Sequence, residues 1–153
     1  MTLGYLIIRY IHLIAMAFGL GGATVAMILS RMAEKNPELA PIIMKVIQSV
    51  SKLIWLGLIL LILSGFAFSF VGSSSSSSPQ IFNLKMITVA ILLINGLLMN
   101  FVLNPRFQEL VPRGGEKPSP EFLKVKKYLK ISGLLSFVFW YVLVALAVVM
   151  LYL

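Results

Sequence analysis

Four apolar runs, at 3–30, 53–71, 84–104 and 131–153, dominate this 153-residue chain. Each reaches or exceeds the roughly 20 residues that a helix needs to cross about 30 Å of hydrocarbon at 1.5 Å per residue. The residues between them cannot clothe a soluble core, because 59% of the chain is hydrophobic and only 12% is charged. The predicted fold class is therefore all-α, a polytopic transmembrane four-helix bundle forming a single membrane domain over 1–153. The first run has no basic segment ahead of it and is long for a signal core, so it is read as a span. With no cysteine in the chain, disulfides, thiolate metal sites and cysteine nucleophiles are excluded.

Charge then sets the orientation. Of the 13 lysines and arginines, 11 lie between Arg31 and Lys52 or between Arg106 and Lys130. The positive-inside bias makes 31–52 and 105–130 cytoplasmic loops, 72–83 an outer loop, and both termini external in the cell membrane. The net charge of +8 then reads as a topology signal and an attraction to anionic inner-leaflet lipids. Nucleic acid is not an expected partner, since the basic residues flank spans.

Local signals fill in the helices. Gly19/Ala23 and Gly22/Ala26 are spaced to let a neighbouring backbone approach the first helix. Asn36–Pro37–Glu38 supplies a cap, a first-turn proline and an acid for the start of the second helix, with Pro41 as the alternative start. The serine run after Gly72 reads as a short linker, and Asn104–Pro105 as the end of the third helix. Asn95, Asn100 and Asn104 are expected to hydrogen-bond between helices, and Trp140 and Tyr141 to fill packing space. In SPEFLKVKKYLK, Pro120 opens a helix. Its lysines either follow the inner leaflet while Phe122 and Leu129 dip into lipid, or project into water. LVPRG at 110–114 matches a thrombin-cleavage sequence.

The remaining polar residues are harder to place. Tyr5, Arg9, His12, Met16 and Gly19 share one helical face, and Lys85, Thr88, Leu92, Asn95 and Met99 share another. Measured from the expected span starts, Arg9, His12 and Lys85 lie roughly 9, 13 and 2 Å deep. All five acids (Glu34, Glu38, Glu109, Glu116 and Glu121) belong to the basic segments, so Arg9 and Lys85 have no protein counter-ion nearby. An unpaired charge within the membrane costs about 2.5–3.5 kcal/mol on insertion scales. One reading has Arg9 and Lys85 snorkelling to lipid phosphate while His12 makes a structural hydrogen bond. The other gathers them into one site, with His12 as metal ligand and the cations on the carboxylates of a haem or porphyrin. Met16 is then a candidate second axial ligand, alongside another methionine or a second subunit.

HLIAMAFGLGG in helix 1, LSGF ending helix 2, and LKMITVAILLINGLLMN opening helix 3 resemble two small four-helix families. These are the CopD-type copper-resistance domains and the HemJ-type protoporphyrinogen oxidases. The resemblance runs through all four spans in order. GLGGATVAMILSRM stands where HemJ-type proteins carry an aromatic-rich stretch and a PR motif. Phe18 stands near the tryptophan common in CopD-type domains. The HemJ-type resemblance implies a membrane oxidoreductase with catalytic His12 and Lys85 and a haem b cofactor. The CopD-type resemblance implies copper handling, which eight scattered methionines permit. A non-catalytic accessory or lipid-interacting bundle is the third expectation, and a homo-oligomer is expected under each.

Overall fold

Within hydrocarbon a peptide group can satisfy its N–H and C=O only inside its own segment, so apolar runs of this length coil. The computed structural model describes residues 3–70, 79–112 and 117–152. They form α1 (Leu3–Lys35), α2 (Ala40–Phe70), α3 (Pro79–Leu98), a π-helical segment (Met99–Leu103), α4 (Asn104–Glu109) and α5 (Pro120–Tyr152). Counting Pro79–Glu109 as one continuous rod, four helices are long and apolar enough to cross a membrane. The all-α, four-helix, multi-pass architecture is as expected.

The helices outrun the apolar windows that mark the expected spans. α1 continues to Lys35, where the Asn36 backbone and side chain both donate to the Met32 carbonyl at 3.0 and 3.2 Å. A turn through Pro37 follows, and α2 starts at Ala40 with Pro41 in its first turn, not at Asn36–Glu38. The expected loop at 31–52 is thus mostly helix. At the other end of the bundle α3 starts at Pro79, where a proline's missing N–H would have no helical partner anyway. Residues 79–83 of the expected outer loop are therefore helical, and the serine run lies outside the described residues.

Asn104–Pro105 does not end the third helix. Pro105 has no N–H for the preceding turn, and the chain accommodates it by a local change of register: the Asn104 N–H bonds to the Met99 carbonyl, five residues back. α4 then continues to Glu109 with Pro105 in its first turn. Beyond it, the Ser119 hydroxyl accepts from the Phe122 N–H at 3.1 Å and caps α5. SPEFLKVKKYLK is one unbroken helix with the fourth span. Phe122 stacks on Phe107 of α4 with ring centroids 5.2 Å apart.

Cross-contacts run antiparallel. Gly57 of α2 meets Ala15 and Gly19 of α1, Trp140 of α5 meets Gly19, and Asn95 of α3 meets Ser132 of α5. Spatially α1 lies between α2 and α5, α5 lies between α1 and α3, and Trp55 of α2 reaches Gly96 of α3. All the described lysines and arginines except Arg9 and Lys85 thereby lie at one end of the bundle or on the helical turns next to it, which we call the basic end.

Small residues make the α1–α2 seam. A Cβ at Gly57 would lie 2.7 Å from the Gly19 nitrogen and 2.8 Å from the Ala15 oxygen. One at Gly22 would lie 2.6 Å from Ile54, and one at Gly19 would overlap the Trp140 ring. The core follows: Trp140 and Leu143 are 1% exposed and pack with Ala15, Ala23, Leu58, Leu61 and Leu92. Apolar side chains such as Leu6, Leu63, Ile94 and Val148 stay exposed around the outside, as a bundle in hydrocarbon requires. Among the described residues the buried polar side chains are few and all paired. Asn95 donates to the Ser132 carbonyl at 3.0 Å and accepts from the Ser132 hydroxyl at 2.7 Å. Asn100 is exposed and makes no such bond, nor does Asn104.

Candidate functional site

The seam of small residues draws α1 close to α2 along its whole length, so side chains nearer the α1 start also meet α2. His12 is one turn before Met16 and lies half-buried opposite Ser64 of the LSGF sequence, itself buried on α2. The His12 Nδ1 and Ser64 Oγ are 2.7 Å apart. One turn further along α2, the Phe68 ring meets His12 edge-on, with centroids 5.6 Å apart and planes at 74°. Tyr5 packs on the same Phe68 at 5.6 Å and 63°.

The His12–Ser64 bond orients the imidazole, and the place of the serine proton sets the bond's direction. A serine hydroxyl has one proton, and besides His12 the Ser64 hydroxyl has the Leu60 carbonyl four residues back, 2.6 Å away, as an acceptor. The Leu61 carbonyl at 3.1 Å is a second, longer acceptor for it. With that proton on a backbone carbonyl Ser64 Oγ accepts from His12 Nδ1; with it on Nδ1 the roles reverse. A neutral ring that carries its proton on Nδ1 leaves a bare lone pair on Nε2. No side chain among the described residues bonds to that nitrogen.

Lys85 comes to the same level for a reason the apolar window hid. Because α3 starts at Pro79, Lys85 lies six residues inside the helix, about 9 Å along its axis, not barely one residue inside. His12 lies nine residues inside the parallel α1, about 13 Å along. Lys85 is half-buried on α3 at about that level. Below it, Thr88 is buried with its hydroxyl donating to the Leu84 carbonyl at 2.8 Å.

The other two expected members stand apart. Arg9 is exposed and makes no ion pair or hydrogen bond among the described residues. Met16 packs against the core cluster. Tyr5 was expected on the helical face of His12, whereas Ser64 and Phe68 were not singled out as its neighbours. Their signal was present, since Ser64 is the polar member of an otherwise apolar LSGF. Its pairing with a residue 52 positions away is nevertheless a property of the α1–α2 packing.

Among the described residues no three histidine or acidic side chains gather as a metal cage. What the arrangement offers is a single oriented imidazole with one free nitrogen, an aromatic edge beside it and an ammonium nearby. No family model matches the chain, and comparisons with curated proteins and with solved structures likewise return no match.

Proposed function

We propose that this multi-pass protein resides in the cell membrane with both termini outside and binds a haem or porphyrin through His12, in the service of a membrane oxidoreductase reaction. The observation that carries this reading is the His12–Ser64–Leu60 hydrogen-bond chain, which with the Ser64 proton on the Leu60 carbonyl leaves the Nε2 lone pair free. A bare copper ion needs several protein ligands, whereas a macrocycle brings four nitrogens and asks the protein for only one or two more. The donor set therefore fits a porphyrin metal better than a naked ion.

Each residue then has a task. His12 presents Nε2 to the metal, and Ser64 holds the ring by its other nitrogen, as the partners of ligating histidines do. Lys85 neutralises a porphyrin carboxylate that would otherwise enter the membrane unpaired. Arg9, exposed and nearer the α1 start, serves a carboxylate at headgroup level. Phe68 and Tyr5 keep water from the imidazole side. Met16 keeps its core packing, so His12 would be the residue of this chain that holds the metal. A bound haem would supply one-electron redox chemistry. The orientation rests on the basic end facing the cytoplasm, where lysine and arginine are retained.

The test is titration of the full chain in mild detergent with haemin and with cupric and cuprous ions, read by absorbance and metal analysis. A stoichiometric Soret band with wild type, lost in His12→Ala and weakened about tenfold in Lys85→Met, is expected. Helix content by circular dichroism should be unchanged in both variants. Stoichiometric copper without a Soret band, or no binding at all, overturns the proposal.

A further inference from the structure

At the basic end, α4 and the first turns of α5 enclose an open cavity of about 710 Å³. Its lining has a direction. α3 descends into it through Val102 and Leu103 of the π segment and reaches Arg106 on α4, while α5 rises out of it from Ser119 through Lys124 to Val125. The helices are antiparallel, so both walls are apolar on the side towards the spans and charged on the side away from them. Arg106 and Lys124 have no acidic partner within ion-pair distance among the described residues, where the one salt bridge is Lys130–Glu34 at 2.9 Å. Glu121 is the single carboxylate in the lining, leaving the cavity one positive charge in excess.

A charged mouth above an apolar floor, at the level where the helices leave hydrocarbon, has the polarity profile of one phospholipid. The geometry points to a discrete binding site for a phospholipid of net negative charge, its phosphate between Arg106 and Lys124 and an acyl chain along Val102, Leu103 and Val125. A free phosphate would leave that apolar floor without an occupant. The excess charge matches an anionic headgroup, and Glu121 stands against a second negative group. This inference is independent of any cofactor at His12, which lies at the opposite end of α1.

The experiment is native mass spectrometry of the full chain in detergent with phosphatidylglycerol, phosphatidylethanolamine or phosphatidylcholine added. Wild type should retain phosphatidylglycerol preferentially. Each cation near a membrane surface contributes about fivefold in affinity, so Arg106→Gln/Lys124→Gln should weaken retention roughly twenty-five-fold. Lys126→Gln/Lys127→Gln removes as much charge from α5 at residues outside the cavity lining and should change it far less. Glu121→Gln should hold or raise retention. Equal loss in the two double variants would reduce the site to diffuse attraction and overturn it. Preference for phosphatidylethanolamine that falls with Glu121→Gln would overturn it in favour of a zwitterionic headgroup. Unchanged melting temperatures exclude misfolding as the cause.

Discussion

Gly57→Ala tests the packing that brings His12 to Ser64. The added methyl would lie 2.7 Å from the Gly19 nitrogen and 2.8 Å from the Ala15 oxygen, both backbone atoms that cannot rotate away. Ordinary contact begins near 3.4 Å, so α1 and α2 must separate by roughly 0.7 Å or more at that point. Overpacking of this kind costs about 1–3 kcal/mol, and a backbone-to-backbone clash belongs at the upper end. Alanine recovers about 1 kcal/mol of helix propensity, leaving a net loss of about 2 kcal/mol. Gly65 on the same helix is the internal control, because a Cβ there meets nothing within 4 Å. Gly65→Ala should therefore stabilise by up to about 1 kcal/mol. Reversible unfolding of both variants in mixed micelles should separate them by about 3 kcal/mol. Equal stabilities would refute the close α1–α2 approach.

Asn95→Leu should destabilise the bundle by about 1 kcal/mol in the same unfolding assay, because it removes the α3–α5 hydrogen bonds to Ser132. Adding Ser132→Ala to it should then cost little more; fully additive losses would show that the two side chains do not act as a pair. Ser64→Ala should keep the helix content and lower haemin affinity about tenfold, as loss of a ligand-orienting partner does. An unchanged titration would leave Ser64 a purely structural residue. Orientation is open to a simple check, since the chain has no cysteine. A cysteine placed at Lys45 should react with an impermeant maleimide only after cells are opened, and one at Gln80 in intact cells. The reverse pattern would invert the topology.

Hydrophobic length and charge asymmetry were enough to read the fold class, the four spans and the polar pairing potential of Asn95. Ends were misread because an apolar window stops at the first polar residue, while a helix stops where capping and proline chemistry stop it. Pro79 and Pro120 start helices in this chain, and Pro105 is absorbed by a π turn. That error placed Lys85 too near its helix start, although the expected site already grouped it with His12. The helical face through Tyr5, His12 and Gly19 was legible from spacing alone. What lay opposite that face was not, because Ser64 and Phe68 reach His12 only through a register set by Gly57 against Gly19. Arg9 shows the converse: spacing placed it near the same face, yet its long side chain stays exposed.

The chain has one histidine, so nitrogen NMR of uniformly ¹⁵N-labelled protein in detergent reports that ring without assignment ambiguity. At neutral pH the account predicts a neutral ring protonated on Nδ1, with Nε2 bare and selectively perturbed when a diamagnetic metalloporphyrin is added. A ring protonated on Nε2, or one whose Nε2 signal ignores the porphyrin, would contradict it.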